Sequence, residues 1–187
     1  MSAFDKIIGY DHIKAELMQI SDMIHHPEVY AALDAKLPQG LLLSGAPGLG
    51  KTLMATALME DSGLPCFTVR RSQVEDEFLK QLAHTFDEAA EAAPSMLLLD
   101  DMDKFSSDEF STAAFTAVQS CIDKVQEKQV FVIATVNNVE EIPDSLLRCG
   151  RFDRQIKVQP PTVRTGSRSS AAIFPARRRC RISPCPI

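Results

Sequence analysis

"GAPGLGKT", residues 45 to 52, decides how the rest of the chain is read. It fits the spacing G-x-x-x-x-G-K-[ST] at every defined position. The apolar run "GLLLS" precedes it, and "GKTLMATALMEDSG" carries on from it as a helical stretch with Gly63 as a plausible stop. Gly45, Gly48 and Gly50 let the backbone curl so that amide hydrogens converge on phosphate oxygens. The helix starting near Lys51 adds its positive end to that anion site. In such a loop Lys51 reaches the β- and γ-phosphates and the Thr52 hydroxyl ligates Mg²⁺. Ala46, Pro47 and Leu49 complete the loop, and Leu53 follows it, so the whole stretch is assigned to nucleotide contact. A glycine turn of purely structural use is the alternative. Eight matched residues between a strand and a helix weigh against it.

A second stretch, "APSMLLLDDMDKF" at residues 93 to 105, ends an apolar run in adjacent carboxylates, Asp100 and Asp101, with Asp103 close behind. Like charges side by side call for a cation or a reacting group nearby. In nucleotide hydrolases of this kind a second buried strand ends in an Asp that holds Mg²⁺, and Asp100 takes that place. A solvated acidic turn is the plainer alternative.

Between and beyond these stretches, helices are predicted over Asp11 to Ile24, from Pro27, over Val74 to Ala93, and over Ser111 to Glu127. "PCFTVR", "QVFVIATV" and "RQIKVQP" read as strands, and "PDSLLR" as a short helix. Strands without inside-outside alternation, alternating with helices, indicate a parallel sheet covered on both faces. The fold expected is therefore α/β, with its chemistry at the carboxyl ends of the strands.

Composition narrows the function further. The chain has 187 residues, 45% hydrophobic and 24% charged, which suits one soluble globular core. No apolar run is long enough to span a bilayer and no basic-then-apolar leader opens the chain, so a cytoplasmic setting is expected. No metal-ligand spacing links the four His or five Cys, and buried free thiols are expected at Cys66 and Cys121. Residues 162 to 187 hold six Arg and no acid, which leaves a net charge of −11 over residues 1 to 161. An acidic body argues against nucleic-acid binding and against a DNA loader or helicase motor.

Over residues 4 to 161 the chain resembles an AAA ATPase, a P-loop NTPase. The likeness is closest to the AAA module of bacterial membrane-anchored zinc metalloproteases. It is carried by "FDKIIGYDHIKAELMQISDMIHHPEVYAALDAKLPQGLLLSGAPGLGKT", by "VFVIATVNN" and by "PDSLLRCGRFDRQI". The resemblance implies ATP with Mg²⁺ as the ligand and the large AAA subdomain as the fold. It implies Ile8 and Gly9 at the adenine pocket, and Asn137 orienting the attacking water. It also implies Arg148 and Arg151 as arginine fingers that act in trans within a hexameric homo-oligomer, with a protein as the remodelled substrate.

Three departures stand out. Asp101 occupies the position where the family carries the Glu that polarises the attacking water. One methylene less shortens its reach by about an angstrom, a misplacement that can cost ~10²-fold. Slow hydrolysis, or a nucleotide-binding interaction module without turnover, follows as the alternative. "RRSQVEDEFLKQLAHTF" is short and acidic and lacks the aromatic-apolar-glycine pore loop; Phe78 reads as a core residue of its helix. After residue 161 the acidic helical lid is replaced by "TVRTGSRSSAAIFPARRRCRISPCPI", a basic, irregular tail expected to be disordered. A frameshift with early termination is the expected account, since one codon choice for residues 162 to 168, with one base restored, resumes a family-like sequence; a genuine basic tail suited to nucleic acid or an anionic partner is the alternative. Loss of the lid predicts weaker affinity and poor ring assembly.

Overall fold

The computed structural model describes residues 3–33, 38–71, 75–106 and 111–160. The expected tail at residues 162 to 187 lies outside the described residues, as does the first half of the segment "SQVEDE". Five parallel strands form one sheet: β1 (Gly40–Ser44), β2 (Cys66–Arg70), β3 (Ser95–Asp100), β4 (Val130–Val136) and β5 (Arg154–Lys157). Their spatial order is β2-β3-β4-β1-β5. The helices are α1 (Asp11–His25), α2 (Pro27–Ala32), α3 (Lys51–Ser62), α4 (Glu75–Glu91) and α5 (Ser111–Val125).

The continuous apolar runs fill both faces of the sheet because side chains alternate along a strand. Leu41 and Leu43 of β1, with Met96 and Leu98 of β3, pack against Ile13 and Leu17 of α1 and Met54 and Leu58 of α3. Leu42, Leu97 and Leu99 turn the other way, against Phe78, Leu82 and Phe86 of α4 and Val118 and Ile122 of α5. β1, β3 and β4 are buried along their whole length, as inner strands of a covered parallel sheet must be. The edge strands β2 and β5 are largely exposed, so continuous burial applies to the three inner strands alone.

Two expectations fail here. Cys66 is exposed, because it opens the edge strand β2, whereas Cys121 is buried on α5 as expected. "PDSLLR" forms a turn instead of a helix, with Leu146 N donating to Pro143 O and Leu147 N to Asp144 O. The chain then reverses, and Phe152 N returns to Leu146 O at 3.2 Å. Leu146 and Phe152 are both fully buried at that reversal, and their burial holds it in place.

Candidate nucleotide-binding site

The strand order brings the functional residues together. β4 lies between β1 and β3, so the ends of three inner strands meet at one edge. Ser44 is level with Val136, and Leu99 with Ala134, which sets the loop after β1, Asp100 and Asn137 side by side. Gly45 enters the loop at φ +151°, and a Cβ there would stand 2.1 Å from the Val158 carbonyl oxygen. Only glycine fits that approach. Gly50, at φ +84°, is the left-handed residue from which α3 begins.

Lys51 is buried, and its ammonium folds back over the loop. Its Nζ donates to Gly45 O at 2.7 Å, Ala46 O at 3.1 Å and Asn137 Oδ1 at 2.8 Å. Burial pulls its pKa below the usual lysine value, opposed by the negative charges of Asp101, Asp103 and Asp100. A cation held by neutral carbonyl oxygens, close to three carboxylates, is ready to exchange those oxygens for those of a phosphate.

Thr52 and Asp100 meet across the site, Thr52 Oγ1 donating to Asp100 Oδ1 at 2.8 Å. The same oxygen accepts from Thr135 Oγ1 at 2.9 Å, and Arg70 reaches Asp100 Oδ2 at 3.0 Å. A carboxylate and a hydroxyl in contact beside a phosphate loop are hard oxygen donors of the kind Mg²⁺ takes, usually one or two protein groups with phosphates and waters completing the shell. The residues present fit the ion.

Asp101 follows at φ +53°, a left-handed conformation unusual outside glycine. Its amide donates to Thr135 Oγ1 at 2.8 Å, and its carboxylate pairs with Lys104 at 2.6 Å. Asn137, at the end of β4, joins Lys51 to Asp103: its Nδ2 donates to Asp103 Oδ2 at 2.8 Å and its backbone amide to Asp103 Oδ1 at 3.3 Å.

The sequence profile described as "ATPase family associated with various cellular activities (AAA)" matches residues 41–160, most of the described chain and all of this site. The chain belongs to the AAA family of ATPases. Its curated relatives include the ATP-dependent zinc metalloprotease FtsH of Malacoplasma penetrans, 33% identical over 86% of this chain and 21% of that protein. FtsH 1 of Symbiobacterium thermophilum is 33% identical over 83% of this chain and 28% of its own length. The YME1 homolog of Caenorhabditis elegans, also described as an ATP-dependent zinc metalloprotease, is 32% identical over 86% and 24%. The chain thus spans about a quarter of the relatives it matches.

The other expected site residues of this AAA module differ in burial and in what they touch. Ile8 is exposed and Gly9 half-exposed, between a short 3-10 helix (Ala3–Lys6) and α1. Phe4, Ile7 and Ile13 share one core with Met54 and Leu58, so the lead-in is held against α3, the helix that the phosphate loop begins. Leu49 packs on that core, and Leu53 is exposed. Arg148 is exposed. Arg151 is tied to its own chain: Nε and Nη2 each contact a different oxygen of Asp123 at 2.8 Å, and Nη1 donates to Ser145 O at 2.5 Å. The Arg151 carbonyl lies against Gly40, at the amino end of β1. The phosphate loop leaves the other end of that strand, ~16 Å away for five residues, so Arg151 stands far from the loop of its own chain.

Phe78 is buried and makes an edge-on contact with Phe105, ring centroids 4.7 Å apart, so it is a core residue of α4. Four residues of the site escaped the motif reading: Thr135, Arg70, Lys104 and, in any defined role, Asp103. Arg70 ends the strand that pairs with β3 and is level with Asp100, a register that only the strand order supplies. Thr135 lies two residues before Asn137 and so on the same face of β4, but its contacts to Asp100 and Asp101 depend on the neighbouring strand.

Proposed function

We propose that this AAA module binds ATP with Mg²⁺ at the phosphate loop and hydrolyses it, as the motor part of a protein-remodelling or proteolytic machine. The observation that carries the reading is the 2.8 Å contact between Thr52 and Asp100, with the Lys51 ammonium folded over the same loop. Lys51 and the loop amides hold the phosphates. Thr52 and Asp100 would hold the metal, which neutralises charge on the phosphates when bound. Asp101 polarises the attacking water, and Asn137 orients it. Arg148 and Arg151 serve the site of a neighbouring copy in a homo-oligomeric ring, for which the distance of Arg151 from its own loop is the supporting observation. Calorimetry with Mg-ATP tests the binding claim: the heat is expected to vanish in Lys51→Ala, and equal heat from both proteins would end this reading.

A second reading, a nucleotide-dependent interaction module without turnover, is favoured by Asp101. Its carboxylate is one methylene short of the family's Glu and is already paired with Lys104. Phosphate release by the parent and by Asp101→Glu separates the two. Slow release that rises by up to ~10²-fold with Glu is expected; a fall would show a site built around the shorter acid.

A further inference from the structure

We propose that Asp103 is a positioning residue that fixes which end of the Asn137 amide faces the reacting phosphate. The proposal rests on the reading of Asn137 as the residue that orients the attacking water. An ionised carboxylate only accepts hydrogen bonds and an ammonium only donates them. Asn137 lies between one of each, with Nδ2 on Asp103 at 2.8 Å and Oδ1 on Lys51 at 2.8 Å. The amide can satisfy both partners in one orientation only. Rotating it would set its NH₂ against the ammonium and its oxygen against the carboxylate.

Asp103 is itself firmly mounted. It sits on a short 3-10 helix (Met102–Ser106) whose Met102 and Phe105 are buried in the core shared by α4, α5 and β4. The backbone of that turn is closed by Lys104 N on Asp101 O at 2.9 Å. The second contact of Asp103, to the backbone amide of Asn137, ties the carboxylate to the strand as well as to the side chain.

The consequence is chemical. When a phosphate takes the ammonium, the atom of Asn137 left facing it is a carbonyl oxygen. That oxygen repels phosphate oxygens and accepts a hydrogen from water. The clamp therefore makes Asn137 a water acceptor and not a phosphate donor. Its amide hydrogen, drawn toward a carboxylate, leaves more negative charge on Oδ1. Asp103 thereby helps place the water that Asp101 polarises.

The test compares Asp103→Ala, Asp103→Asn and Asp103→Glu with the parent chain. Turnover is measured by phosphate release, and the affinities for ADP and for ADP with aluminium fluoride and Mg²⁺ by calorimetry. Ala and Asn are expected to lower kcat by roughly 10- to 100-fold, to keep ADP affinity within about twofold, and to lose the preference for the aluminium fluoride complex. Glu keeps an acceptor-only group and is expected to recover part of both. The proposal is overturned if Asn matches the parent in turnover and preference, or if Ala weakens ADP binding and melting as much as it lowers kcat. A parent that binds ADP but shows neither turnover nor the preference overturns the clamp and leaves the phosphate loop standing. A parent that binds no nucleotide overturns both.

Discussion

The two ends of the sheet differ in what their polar groups are bonded to. At the amino ends, Arg151 is held by Asp123 and Ser145, and Asp153 accepts from the amides of Gln39 and Gly40. A cavity of about 850 Å³ opens there, bordered by Tyr30, Leu64, Phe131 and Cys149. At the carboxyl ends, Lys51 is held by neutral carbonyl oxygens while Asp100, Asp101 and Asp103 crowd nearby. The amino end has that cavity, and its Arg151 and Asp123 are paired within the chain. The carboxyl end has charges in an arrangement that a triphosphate and its metal would complete. Chemistry marks the site.

Asp100→Ala should break this contrast most severely. It removes the acceptor shared by Thr52 and Thr135 and the partner of Arg70. Turnover is expected to fall by roughly 10³-fold, the scale of several kcal/mol of lost charge stabilisation. Chelation of Mg²⁺ from the parent should reproduce the loss of ATP affinity, with no further change when the variant is chelated. A variant whose binding still responds to Mg²⁺ would assign the metal to other residues.

Much of this end was legible in the sequence, because backbone chemistry constrains it tightly. The glycine spacing at residues 45 to 50, Lys51 and Thr52 suit a loop curled tightly between β1 and α3, the shape that the proposed phosphate site needs, and the apolar run before Asp100 suits an inner strand. What escaped was cross-strand geometry. Thr135 and Arg70 act through register, which follows from the strand order β2-β3-β4-β1-β5, and no local pattern reveals that order. The turn after Pro143 escaped for a related reason. Its apolar spacing is helical, but burial of Phe152 draws the chain back after a few residues. Cys66 was misjudged because an apolar neighbourhood in sequence does not tell an edge strand from an inner one.

At the amino end the expected effects are on stability. Arg151→Ala removes a two-point ion pair and a bond to a backbone carbonyl. Asp123 is 43% exposed, which weakens the pair through solvent screening. A loss of about 1–2 kcal/mol in urea unfolding is expected. Lys at this position should recover little, since an ammonium cannot span both carboxylate oxygens. Arg148→Ala, on an exposed side chain, should leave unfolding unchanged. If Arg151→Ala unfolds at the same urea concentration as the parent, the ion pair does not hold this segment.

Lys104→Ala should have the smallest effect, and it sharpens the comparison from the carboxyl end. Lys104 is raised above the usual lysine pKa by its hydrogen bond to Asp101, so its ammonium keeps its charge at neutral pH. Yet the lysine side chain is 62% exposed and Asp101 37%, so water and salt screen the attraction. Such a pair holds the carboxylate in place without a strong grip. Freed from it, Asp101 can swing toward the loop, and turnover is expected to rise by no more than about threefold. Added salt should raise the parent toward the variant and leave the variant flat. A larger rise would mean that Lys104 restrains the base more tightly than an exposed pair can. A fall would mean that the lysine serves the phosphates instead, and the carboxyl end would then hold a second cation for the ligand beside Lys51.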